Sequence, residues 1–173
     1  MLDAIQLLDG RILKAADSLR TPFLDTAFLG LTWLGSLWVL VPVAVLCAVR
    51  NRHKQSRRST WLGPAALATT CLVIYPLKEL VARPRPDLHQ ALVSLPLDAS
   101  FPSAHAAQAA TLAMALGWRA PWPVRIALGA GVLAVACSRP YLQVHYPSDV
   151  LAGVLIGVVC ALIAVRLLRD SSR

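Results

Sequence analysis

Five apolar runs separated by short polar stretches fill most of this chain and leave it few folds to adopt: Ala27 to Val49, Trp61 to Ala82, Ala104 to Trp118, Ile126 to Cys137 and Val150 to Leu168. The first would extend about 34 Å as a helix, enough to cross the hydrocarbon core of a bilayer. A hydrophobic content of 57%, a charged content of 15% and a mean hydropathy of +0.59 lie far from the average of soluble proteins. Backbone polar groups in lipid must be satisfied within their own segment, so runs of this length read as helices. The expected fold is therefore all-α: an integral-membrane helical bundle of about five transmembrane helices, one domain over residues 1–173.

Residues 1–20 read differently. Leu2, Ile5, Leu8, Ile12, Ala15 and Leu19 share one helical face, with Gln6, Lys14 and Asp17 opposite, while Asp3, Asp9 and Arg11 exclude a signal peptide. The expectation is an amphipathic helix lying in the membrane interface; packing against the bundle is the alternative. The third run, short and Ala-rich, reads as a central helix, and Gly153 and Gly157 form a G-x-x-x-G spacing that permits close approach.

The formal charge of +8 is distributed unevenly. Five crossings bring Arg50 to Arg58, Arg119, Arg125 and the tail from Arg166 to Arg173 to one side, ten of the seventeen Lys and Arg residues. The positive-inside rule makes that side cytoplasmic, and no basic face is left for nucleic acid. Cys47, Cys71, Cys137 and Cys160 fall within or at the ends of apolar runs without a C-x-x-C pair and read as small core residues.

The opposite side receives the residue types that handle phosphate. Lys78, Arg85 and Arg139 are cationic donors, and guanidinium forks match phosphate oxygens. Ser103 is placed to cap the third run, whose N-terminus is a ready anion site, with His105 in its first turn. Pro147 opens the last helix, so Asp149 lies one turn beyond His145 and can hold its imidazole. Taken alone, residues 138–149 could equally be a helix cap beside a bystander histidine. Taken together, His145 is the candidate nucleophile on phosphorus, Asp149 its orienting carboxylate, and His105 the general acid and then base. No Asp/Glu cluster accompanies the cations, so no metal or other cofactor is expected. Arg83, outside this spacing, reads as an interfacial charge.

Lys78-x6-Arg85-Pro86, Pro102-Ser103-Ala104-His105 and Ser138-Arg139-x5-His145-x3-Asp149 together resemble the three-part signature of the type 2 phosphatidic acid phosphatase superfamily. The resemblance spans residues 78–149 in order. It implies a helical bundle, metal-independent hydrolysis of phosphate esters or anhydrides, and the roles just given, with Ala104 joining the phosphate-binding loop where the family commonly carries glycine.

The expected function is hydrolysis of a lipid phosphate or diphosphate through a phosphohistidine, at the outer face of the cell membrane. The alternative is a phosphotransferase that passes the group to a lipid or alcohol acceptor. A non-catalytic binding or transport protein fits less well, because no ionisable residue lies midway along any run. The expected partners are the bilayer and an amphiphilic substrate, with undecaprenyl diphosphate, phosphatidylglycerol phosphate and phosphatidic acid as candidates.

Overall fold

Two glycines decide how closely the bundle packs. A Cβ at Gly157 would lie 2.2 Å from the Ala107 carbonyl oxygen, and one at Gly153 would lie 2.5 Å from that of Ser103. Only a hydrogen fits in that space, so the helices carrying these residues meet backbone to backbone. The computed structural model describes residues 2–53, 60–88, 90–94 and 97–168. Among them run α1 (Leu2–Ser18), α2 (Pro22–Leu31), a 3-10 turn (Thr32–Gly35), α3 (Leu37–Asn51), α4 (Leu62–Val81), α5 (Ala104–Gly117), α6 (Trp122–Tyr141) and α7 (Pro147–Leu168). The described residues contain no strand.

The Ala-rich α5 is the central helix. Ala106, Ala107, Ala109 and Ala110 are buried, so α4, α6 and α7 can pack close around it. Its polar residues pair inside the bundle: Thr111 Oγ1 lies 2.8 Å from Thr70 Oγ1 of α4 and donates to the Gly157 carbonyl at 3.1 Å. Each outer helix buries one stripe. On α4 it comprises Gly63, Ala66, Leu67, Thr70, Ile74 and Lys78, the helical period carrying a lysine into the interior at the last turn. The opposite faces are apolar and exposed, with Trp38, Leu72, Leu80 and Leu151 each more than half accessible. A polypeptide surface of this kind belongs against lipid.

The first apolar run departs from expectation. It is not one straight span: α2 and the 3-10 turn meet α3 at a 49° bend. Hydropathy does not register the break, because Trp33, Leu34, Leu37 and Trp38 continue the run through it. At the bend a Cβ on Gly35 would lie 2.7 Å from Val135 and 3.0 Å from His105, and Ser36 starts α3 by accepting from the Trp38 N–H at 3.3 Å.

By length and composition, Leu62–Val81 and Pro147–Leu168 can each cross a membrane, and the bent pair makes up to three spans. The ends of α3, α5 and α7 and the start of α4 gather at one end of the bundle, where Asn51, Thr60, Arg119 and Leu168 line a common cavity. Positions 54–58 of the basic loop and 169–173 of the tail lie outside the described residues.

The N-terminal helix packs against α6 and α7. Its buried positions are Asp9 and Leu13, while Ile5, Leu8 and Ile12, and Leu19 just beyond its end, are exposed.

Candidate active site

Chain reversals at one end of the bundle collect every candidate residue. Lys78 closes α4, Arg85 follows in the loop, and Ser103, Ala104 and His105 open α5. Arg139 lies in the last turn of α6, His145 in the connection to α7, and Asp149 in the first turn of α7. A cavity of about 270 Å³ is lined by Lys78, Arg85, Ala104, His105, Arg139 and His145, with Trp38 and Tyr75 on its wall. Six separated segments thus contribute to one cavity, and Trp38 and Tyr75 on its wall are both exposed.

The cations are held in place. The Arg139 Nη1 donates to Thr32 Oγ1, and its Nε is buried without a partner. Beneath it, α2 braces α6 through the stacked rings of Phe28 and Tyr141, 4.2 Å between centroids, and a 2.7 Å bond from Tyr141 to Asp25. Arg85 donates through Nη1 to the Val144 carbonyl at 2.7 Å and to His145 Nε2 at 3.3 Å. Lys78, 1% exposed, donates to the Ala99 carbonyl.

One anionic group already occupies two of these cations. Asp98 lies 3.0 Å from Lys78 Nζ and 2.6 Å from Arg85 Nη2. Partial burial works against its charge, but bonds and attraction from Lys78 and Arg85 outweigh burial and hold the carboxyl below its usual range. It stands in for a ligand's negative charge.

Ser103 departs from its expected bonding. It occupies the N-cap position of α5, with extended backbone angles, but its hydroxyl caps nothing. The Oγ is fully buried and unpartnered, while its N–H donates to the Asp149 carbonyl at 3.0 Å. The ring of His105 makes no hydrogen bond with any described residue, and Ala104 occupies the first helical position, where N–H groups have no intrahelical partner.

His145 is 2% exposed. Burial first, then the nearby Arg139, Arg85 and Lys78, lower its pKa to about 4 against the pull of Asp149. The imidazole is therefore neutral at neutral pH and carries a lone pair. Asp149 does not reach it directly: Nδ1 lies 3.8 Å from Asp149 Oδ2.

Arg83 is not an interfacial bystander, and that expectation is corrected. Its Nη1 lies 2.5 Å from Asp149 Oδ1 and 2.8 Å from Ser148 Oγ, its Nη2 3.0 Å from Asp9 Oδ2, and its guanidinium 4.0 Å from the Tyr146 ring centroid. Burial opposes its charge, yet Asp9 and Asp149 prevail and raise its pKa. The sequence reading also missed Asp9, Asp98 and Ser100. None belongs to the three motifs, and Asp9 reaches the site from 139 residues away in the chain.

Residues 59–173 match the PAP2 superfamily. The chain belongs to that superfamily. Among PAP2 relatives, phosphatidylglycerophosphatase B of Bacillus subtilis is 34% identical, over 91% of this chain and 81% of its own length. Decaprenylphosphoryl-5-phosphoribose phosphatase of Mycobacterium tuberculosis is 41% identical, over 58% of this chain and 57% of its own length. The chain thus spans little more than half of that relative. Among solved PAP2 structures, the transmembrane phosphatidylglycerolphosphate phosphatase of Bacillus subtilis superposes with a TM-score of 0.86 at 31% identity, covering 98% of this chain and 89% of that one. Aquifex aeolicus LpxE gives 0.80 at 27% identity, covering 92% and 95%.

Proposed function

We propose that the chain is a single-domain, integral-membrane hydrolase of lipid phosphates or diphosphates that works through a phosphohistidine. The observation that carries this reading is the shared cavity, where two imidazoles and three cations converge, one of the cations, Arg139, with a buried and unpartnered Nε. Such a donor set is built for an anion with several oxygens.

In the proposed reaction the Nε2 lone pair of His145 forms the bond to phosphorus as the bond to the leaving oxygen breaks. His105, an imidazolium once the anionic substrate lies beside it, gives that oxygen its proton and becomes neutral. A water then attacks phosphorus, His105 takes the water's proton, and the N–P electron pair returns to His145. Lys78, Arg85, Arg139, Ser103 and the first-turn N–H groups at Ala104 and His105 stabilise the equatorial oxygens.

The substrate is an amphiphile, its phosphate in the cavity and its chain passing Trp38 and Tyr75 into lipid. Undecaprenyl diphosphate and phosphatidylglycerol phosphate are the leading candidates, supported by relatives named for phosphatidylglycerol phosphate and polyprenyl substrates. We place the chain in the inner membrane with five crossings, α2 with α3 forming the first and α4 to α7 the others. Arg50, Arg52, Arg119, Arg125 and Arg166 then face the cytoplasm, and the site faces outward. Phosphate release by purified protein from a panel of lipid phosphates and diphosphates, in EDTA, tests the reading. Turnover that His145→Ala abolishes is expected; turnover that appears only with added Mg²⁺ would sink the metal-free mechanism.

A further inference from the structure

Asp149 is engaged on three sides, none of them by the His145 ring. Its Oδ1 accepts from Arg83 Nη1 at 2.5 Å, and its Oδ2 accepts from the Tyr146 N–H at 3.0 Å and from Ser100 Oγ at 2.5 Å. At 3.8 Å, Nδ1 is beyond hydrogen-bond distance of that carboxylate. Ser100 Oγ also lies 3.4 Å from Nδ1 and bridges the two. Ser100 has no freedom to leave: it is fully buried, and its N–H donates to the Arg83 carbonyl at 2.7 Å.

The proton positions follow from donor counting. A serine hydroxyl has one hydrogen, and the 2.5 Å contact with a carboxylate, which can only accept, claims it. Its lone pairs are then what Nδ1 meets, so Nδ1 carries the ring hydrogen. The other nitrogen gives the same answer independently. Arg85 Nη1, 3.3 Å from Nε2, can only donate, so Nε2 holds the lone pair.

We infer that Ser100 is a positioning residue, relaying the Asp149 carboxylate to His145 and fixing the tautomer whose Nε2 can attack. As Nε2 bonds to phosphorus, the ring gains positive charge that spreads to Nδ1–H. Ser100 accepts that hydrogen bond while its own hydroxyl hydrogen bonds Asp149, so the carboxylate stabilises the charge at one remove, and no proton need leave the ring. The catalytic role here rests on the hydrolase reading above, whereas the tautomer is a property of the resting protein.

The test uses the full chain in detergent, with Ser100→Ala, Asp149→Asn and the double variant. Removing a hydrogen-bonded partner that orients a working imidazole costs roughly 10–100-fold in activity. A loss of that size is expected in kcat for Ser100→Ala, with KM unchanged. If the serine acts through the carboxylate, the double variant should be no slower than Asp149→Asn alone. Losses that multiply, or kcat within twofold of wild type in Ser100→Ala, would overturn the relay. ¹⁵N spectra of the His145 ring supply a readout free of activity: the resting protein should show Nδ1–H, and Ser100→Ala, which takes away its acceptor and leaves only Arg85 to hold the tautomer, should shift the Nδ1 resonance. The Nε2–H form in the wild type, or no change in Ser100→Ala, would overturn it. A wild type without turnover would instead count against the hydrolase reading and leave the spectra to decide the relay.

Discussion

Arg83 Nη1 lies 2.5 Å from Asp149 Oδ1, so the carboxylate nearest the candidate nucleophile is neutralised by an arginine outside the three-part signature. Arg83 does not line the cavity where phosphate would sit. Arg83→Ala is therefore expected to lower kcat on the order of 10–100-fold while leaving KM near wild type, as for loss of a residue that acts through another. Arg85→Ala and Arg139→Ala should impair both. Steady-state kinetics on one lipid phosphate decide it, and an Arg83→Ala variant of wild-type kcat would return Arg83 to the status of a surface charge.

Asp98 competes with any incoming anion for Lys78 and Arg85. Asp98→Asn should let inorganic phosphate inhibit at a concentration about tenfold lower, the equivalent of one charge-assisted hydrogen bond freed for the ligand. Weaker phosphate inhibition in this variant would mean that Asp98 orients the cations and does not obstruct them.

The His145 ring should titrate near pH 4 in the ligand-free protein, read from its ring proton shifts. The sign follows from burial and three cations disfavouring the charged form. An unfolded chain protonates this ring near 6.5, the folded one only near 4. The contribution to stability is thus complete above pH 6.5 and is lost as pH falls toward 4. Titration between pH 6 and 7, the ordinary imidazole range, would mean that water reaches the ring.

Leaving groups separate the two histidines. A lipid alkoxide needs a proton as it departs, so His105→Ala should lose roughly 100–10,000-fold on a lipid phosphate. p-Nitrophenolate departs without one. On that ester His105→Ala should give a burst of p-nitrophenol followed by slow turnover, and His145→Ala no burst. A burst from the His145 variant would exchange their roles.

Orientation is open to direct labelling. In intact cells an impermeant thiol reagent should reach a cysteine at position 90, near the site, and fail to reach one at position 52. The reverse pattern would invert the proposed topology.

The sequence carried the frame of this molecule well. The apolar runs foretold α4, α5 and α7 to within a few residues, because lipid and a packed interior both demand uninterrupted apolar faces. Arg139 and Pro140 continue α6 beyond its apolar run, since a charged side chain can complete a helix when that turn faces a site. The bend at Gly35 and Ser36 left no hydropathic trace, because its cause lies in His105 and Val135, far along the chain. The eight candidate site residues were nominated by their chemistry and spacing, and the structure brings them to one end. Asp9, Arg83, Asp98 and Ser100 were not legible in the same way. They lie on loops or on a helix whose visible apolar stripe is not the face it buries, and no periodicity connects them to their partners.

The seam at Gly153 and Gly157 has a consequence for how such a protein can diversify. Ser103 and Asp149 ride on helices fused along that seam and are joined to each other by a 3.0 Å backbone bond. The cradle and the carboxylate behind the nucleophile therefore share one rigid chassis. Trp38 and Tyr75 stand on α3 and α4, outside that seam. Substitutions at Trp38 and Tyr75 therefore alter the cavity wall without touching the contact that joins Ser103 to Asp149.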